Sequence, residues 1–136
     1  MRDLRKTMEL LQELRDLVSE MSYSVDAVIV EGRRDVEALR MLGFSKPIYT
    51  CSGTSMPRGE LCSTVAKSCS RVAILTDMDE EGEGLFSEFR RMLTEMGVKV
   101  EDFYRWRFRR ICMELHTTSV EGLLKVRKAV QGFKPI

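Results

Sequence analysis

The sequence predicts an α/β fold: a mostly parallel sheet of about four strands flanked by helices. Two observations carry that expectation. Val25 to Val30 and Val72 to Thr76 are short β-branched apolar runs, the pattern of strands buried on both faces. Longer stretches with apolar residues at helical spacing separate them, so strand and helix alternate along the chain.

The elements follow in order. Leu10, Leu14, Leu17 and Met21 are spaced by four, three and four residues, and Leu4, Met8, Leu11 and Val18 widen the stripe. This predicts an amphipathic helix over residues 2–22, covering one face of the domain or a partner in a homodimer. "SYSVD" breaks the pattern before the first strand. Val36 to Leu42 is helical, with Asp35 as its N-cap and Gly43 as its stop. "PIYTC" is a second strand, "SGTSMPRG" a loop, and residues 58–69 a helix. After the strand at Val72, Leu85 to Met96 forms a helix ending at Gly97, and "VKV" is a fourth short strand. Tyr104, Phe108, Ile111 and Leu115 fit helical spacing, and the length of the stretch favours helix over strand. "HTTS" is a break, with Ser119 the cap of a closing helix from Val120 to Val130. The expected organisation is an N-terminal helix over residues 1–22 and one domain over residues 23–136, the closing helices extending it.

Composition limits the function classes. The 136 residues can bury one core, since a chain of this size hides roughly 70% of its unfolded surface. A net charge of +1 means that any basic surface is local. Cys51, Cys62, Cys69 and Cys112 form no CxxC pair and no common zinc spacing, so they are expected as reduced, mostly buried thiols of a cytoplasmic protein. The charged start at Met1-Arg2-Asp3 predicts no signal peptide. The apolar runs fall far short of the ~20 residues of a membrane span.

The chemistry sits where strands end. In an open parallel sheet, ligands bind outside the carboxyl ends of the strands. "VIVEGRRD" puts Glu31 at the end of the first strand, and "ILTDMDEEGEG" puts Asp77 and Asp79 at the end of the third. Residues two apart in an extended chain point the same way, so the two aspartates converge, and Glu81 joins them if the backbone stays extended. Crowded carboxylates repel one another unless protonated or neutralised. An all-oxygen set suits Mg²⁺, with Mn²⁺ as substitute, and such an ion leaves coordination positions for phosphate oxygens. A bare DxD is usually an ordinary turn before a helix. Two acidic motifs, each directly after a buried strand and before a helix, point to phosphoryl-transfer chemistry.

The paired stretches "VIVEGRRDVEALRMLGF" and "VAILTDMDEEGEGL" resemble the Toprim domain, a Rossmann-like fold shared by topoisomerases, bacterial primases and several nucleases. The first motif of that family, a strand ending in Glu-Gly with an Asp just beyond, matches Glu31, Gly32 and Asp35. The second, a strand ending in DxD, matches Asp77 and Asp79, with Glu81 and Gly82 beyond. The resemblance covers about residues 25–101, and in length the chain is similar to the small stand-alone Toprim proteins of archaea and bacteria. It implies Glu31 as a catalytic general acid/base, and Asp77 and Asp79 as Mg²⁺ ligands, with Glu31 and Glu81 as further candidates. No tyrosine-nucleophile, zinc-ribbon or helicase module is expected, which disfavours a topoisomerase or a complete primase. Two readings remain: a Mg²⁺-dependent nuclease acting on RNA or DNA, or a non-catalytic metal- and nucleic-acid-binding module in replication, repair or RNA processing.

Other residues carry weaker signals. Gly53 and Thr54, in the loop after the second strand, could hold a phosphate or simply connect elements. Arg33 and Arg34 follow Glu31 and could steer a phosphate backbone. "YRWRFRR" interleaves Arg105, Arg107, Arg109 and Arg110 with aromatics, a pattern that grips single strands or merely solvates a helix face. Arg107 and Arg110 are its candidate nucleic-acid contacts. His116, the only histidine, lies outside both motifs and is read as structural.

Overall fold

Ala27–Val30 (β1), Ile48–Thr50 (β2), Arg71–Leu75 (β3) and Lys99–Val100 (β4) form one sheet in the order β2-β1-β3-β4. Every pairing is parallel, with Val30 opposite Thr50 on one side and Leu75 on the other. The chain runs from β1 outward to β2, then returns to the far side of β1 to lay down β3. The order reverses between β1 and β3, where an open α/β sheet leaves its ligand crevice. The computed structural model describes residues 3–53 and 55–132.

Six helices pack on this sheet among the described residues: Leu4–Ser24 (α1), Arg33–Met41 (α2), Arg58–Ser68 (α3), Glu80–Glu95 (α4), Asp102–Glu114 (α5) and Val120–Gln131 (α6). Strand side chains alternate between faces. Val28, Val30, Ala73 and Leu75 join Leu14, Leu17, Leu39, Phe108, Ile111 and Leu123 in a core under α1, α2, α5 and α6. Ala27, Ile29, Val72 and Ile74 meet Cys62, Val65, Phe89 and Leu93 of α3 and α4 on the other face. The central strands are buried on both sides, which explains their unbroken apolar runs. The α1 stripe lies in the chain's own core, although Leu4 and Met8 at its start stay exposed. Ser24 and Tyr104 hydroxyls share a hydrogen bond that pins the end of α1 to α5. All four cysteines are buried free thiols. Among the described residues no helix is long and apolar enough to cross a membrane.

Several boundaries differ from expectation. Residue 2 lies outside the described residues, and α1 continues through Ser24 rather than stopping at Ser22. β1 begins at Ala27, two residues late. α2 begins at Arg33, and its N-cap is Gly32 rather than Asp35. Asp35 stands one turn inside, and its carboxylate reaches back to accept the Gly32 N–H at 3.2 Å. α4 begins at Glu80, five residues before Leu85, because the Asp79 carboxylate caps it by accepting the Gly82 N–H at 2.7 Å. The backbone therefore does not stay extended to Glu81, and the alternation argument ends at Asp79. α5 is helical as the length argument required, and Ser119 caps α6. Gly43 takes a positive φ of 102° and stops α2, a conformation glycine adopts without strain.

Candidate metal centre at the carboxyl edge of the sheet

β1 and β3 deliver their carboxylates to the crevice at the reversal of strand order. Glu31 follows Val30 directly, and its Oε1 accepts the Asp77 backbone N–H at 3.2 Å. This bond ties the two motifs together across neighbouring strands. Asp77 is half-buried, and its Oδ1 is shut off from solvent with no hydrogen-bond partner. A buried carboxylate oxygen left unpaired is costly unless it is protonated or meets a cation. Burial, followed by the fields of Asp35, Glu31 and Asp79, pushes the Asp77 carboxyl up to about 7. Glu31 is also raised, first by burial and then by Asp79, Glu81 and Asp35, against the lowering hydrogen bond from Asp77.

Two buried charged residues hold these turns. Asp35 is 6% exposed; one oxygen accepts Gly32 N–H and the other accepts Glu121 N–H at 3.1 Å. It thus fastens the turn after Glu31 to the start of α6. Arg105, only 4% exposed, does the same for β3. Its guanidinium donates to the carbonyls of Ile74 at 3.1 Å, Thr76 at 3.0 Å and Asp77 at 3.3 Å, and to Glu83 of α4 at 2.5 Å. The buried Thr76 hydroxyl donates to the Gly82 carbonyl at 2.7 Å, and Met78 N–H donates to Thr118 O at 2.6 Å. Gly82 packs so closely on Asp77 that a Cβ there would lie 1.8 Å from the Asp77 carbonyl oxygen. The second glycine of "DEEGEG" is open; the first is a steric requirement of the site.

The predicted site residues divide. Glu31 and Asp77 adjoin one another, and Asp79 acts on Asp77 and Glu31 through its field while capping α4. Glu81 is exposed in the first turn of α4, near enough to raise Glu31. Arg33 and Arg34 are exposed at the start of α2, paired with Glu37 and Glu121. Gly53 belongs to a loop latched to the same edge: the Ser52 hydroxyl and N–H both donate to Glu31 O, at 2.6 and 2.9 Å. Thr54 lies outside the described residues. Arg107 and Arg110 turn toward α1, where both meet Glu13. Sequence reasoning missed the positioning duties of Asp35, Thr76 and Arg105. Arg105 looks like any other arginine of "YRWRFRR", since nothing in linear spacing marks one charge of a run as buried.

The donor set is all oxygen, with one buried lone pair unanswered and neighbouring carboxylates destabilised by each other. Those features fit a hard divalent cation. Among the described residues no three His, Cys, Asp or Glu side chains form a ready metal cage. Mg²⁺ ordinarily takes one or two carboxylates and keeps its other positions for water and phosphate. Asp77 and Asp79 suffice on that count.

The model of the Toprim domain family matches residues 26–111. The chain belongs to the Toprim family. This Toprim protein is similar to a UPF0292 protein of Thermoplasma volcanium, 37% identical over 108 residues, or 76% of this chain and 88% of that one. A UPF0292 protein of Thermococcus kodakarensis is 33% identical over 119 residues, or 88% of this chain and 81% of the other. A solved structure of a protein from Aquifex aeolicus covers 84% of this chain and 94% of its own length with a TM-score of 0.61. At 21% identity that likeness is one of fold. Family membership gives the chain a metal-dependent function related to nucleic acid.

Proposed function

We propose that this Toprim protein is a Mg²⁺-dependent phosphoryl-transfer enzyme, a small nuclease acting on RNA or DNA. One observation carries the reading: at the crevice of the sheet the Glu31 carboxylate accepts the backbone N–H of Asp77, whose own carboxylate oxygen Oδ1 is buried without a partner. Asp77 and Asp79 would hold the metal, with Glu81 close by in the first turn of α4. A bound Mg²⁺ would supply charge stabilisation for a phosphorane-like transition state. Glu31 takes a proton from the nucleophile or gives one to the leaving oxygen. Its carboxyl is raised by burial and by Asp79, so it exchanges protons closer to neutrality than a solvated glutamate. The exposed Arg33 and Arg34 and the latched loop at Ser52 and Gly53 stand at the same edge, where they can meet phosphates.

Glu31→Gln keeps the shape and cannot exchange a proton. It should retain Mn²⁺ and substrate binding while losing roughly 10²–10⁴-fold in cleavage rate on an RNA and DNA panel. Wild-type turnover in this variant rules out the acid/base role. The non-catalytic metal- and nucleic-acid-binding module is the second reading, in which the Asp79 carboxylate, which caps α4 through the Gly82 N–H, serves the turn rather than a reaction. A wild-type chain that binds Mn²⁺ and nucleic acid and cuts nothing on the panel establishes it instead.

A further inference from the structure

α4 and α5 enclose a groove beside the carboxylate edge. Its cavity of about 420 Å³ is lined by Glu83, Phe86, Arg90, Arg105, Trp106 and Arg109, among others. Trp106 is 63% exposed and stacks on no other ring among the described residues. Phe86 forms another wall, with the Arg105 guanidinium 4.4 Å from its ring centre. Glu83 is shared by Arg105 and Arg109, while Arg90 pairs with Asp102. Three guanidinium groups thus face two carboxylates, and Arg109 remains half exposed. Arg105 joins the groove to the site, since the guanidinium that lines the cavity also donates to Asp77 O.

We propose that this groove is the track for single-stranded nucleic acid. One unstacked base lies on the Trp106 indole, and the flanking phosphates meet Arg109 and Arg90. The inference rests on the nucleic-acid function proposed above and names its substrate class. An exposed ring can take a base face only when that face is free, as in a single strand; a duplex keeps its bases stacked on one another. A cavity of this volume accepts a nucleotide rather than a helix. The groove divides the basic run of α5 in two: Arg105, Trp106 and Arg109 face it, while Arg107 and Arg110 pack on Glu13 of α1.

Trp106 is the only tryptophan, so emission from the intact chain reports on this position alone. Oligothymidylate or oligouridylate, titrated in EDTA, should quench that emission, and a duplex of mixed sequence should not. Labelled oligomers followed by anisotropy should bind Trp106→Ala roughly tenfold or more weakly, and Trp106→Phe should recover most of the affinity. Arg109→Ala should flatten the dependence of log affinity on log salt by ~0.7 for a single strand. Trp106→Ala binding with the wild-type dissociation constant, or duplex quenching the indole as strongly as single strand, overturns the proposal. Absence of any single-strand binding overturns it too. The readings part cleanly: quenching without cleavage in Mn²⁺ refutes only the enzyme, whereas cleavage with an unchanged KM in Trp106→Ala refutes only the groove.

Discussion

Arg105 and Asp77 show how single residues set the site. The Arg105 charge is buried and satisfied by three carbonyls and Glu83. Arg105→Met leaves those acceptors facing one another without a donor, which should cost about 3–5 kcal/mol in chemical unfolding. Arg105→Lys keeps the charge and loses the planar fork. It should fold, with Mn²⁺ affinity reduced several-fold because the Asp77 backbone is held less firmly. Unchanged Mn²⁺ affinity in a folded Lys variant would show that the guanidinium serves only the core. Asp77 has a pH signature. Its folded carboxyl titrates at about 7 against an ordinary 3.8, so the native state keeps a proton that the unfolded chain releases between those values. Stability without metal should therefore fall as pH rises from about 4 to 7. Asp77→Asn removes that penalty. It should be more stable than wild type above pH 7, by about 1–2 kcal/mol after allowance for partial solvent exposure, and nearly equal below pH 4. Parallel denaturation series in EDTA at both pH values measure it.

At the scale of elements, α4 starts where Gly82 permits. Its first turn lies against the Asp77 backbone, and a methyl group at Gly82 would overlap backbone atoms with no flexible end to move aside. Gly82→Ala should cost about 1–3 kcal/mol and weaken Mn²⁺ binding, while Gly84→Ala, exposed within α4 with open space around it, should leave Mn²⁺ binding unchanged and stabilise by about 0.5–1 kcal/mol. This contrast also shows which parts of the fold were legible. Strands β1 and β3 and the bodies of α1, α4, α5 and α6 announce themselves through apolar periodicity. The first turns of α2 and α4 do not, because Arg33, Arg34 and Asp35 open the one and Glu80, Glu81, Gly82 and Glu83 the other, with no apolar side chain among them. Apolar spacing cannot mark a turn that has no core to face, so both helices seemed to start late. The motif carboxylates were legible because a strand end is a sequence event. Their supports were not: Asp35 meets Glu121 from 86 positions away, and Arg105 meets Ile74 from 31. Such pairings are made by topology, and one strand-order reversal brings them together.

For the whole molecule, the sheet and its two cores stabilise the fold, and the crevice draws on that stability. The apolar clusters on the two faces comprise residues of all six helices and stop short of Glu31, Asp77 and Asp79. Substitutions confined to those carboxylates should therefore leave a folded protein, as a test of metal binding requires. A ligand that binds only the native state stabilises it by about 2.7 kcal/mol at a hundredfold excess over its dissociation constant. For a domain of this size that is roughly 5–15 °C in melting temperature. Protons compete with the cation for Asp77, whose carboxyl is half titrated near pH 7. The Mg²⁺-induced rise should accordingly be small at pH 5 and full at pH 8, so that metal offsets the loss of stability that pH alone produces. Asp77→Asn with Asp79→Asn should melt cooperatively at both pH values and show no Mg²⁺-dependent rise at either, and calorimetric titration should find its Mn²⁺ affinity collapsed. Scanning calorimetry that shows the same Mg²⁺ shift in this double variant as in wild type would place the cation elsewhere on the protein.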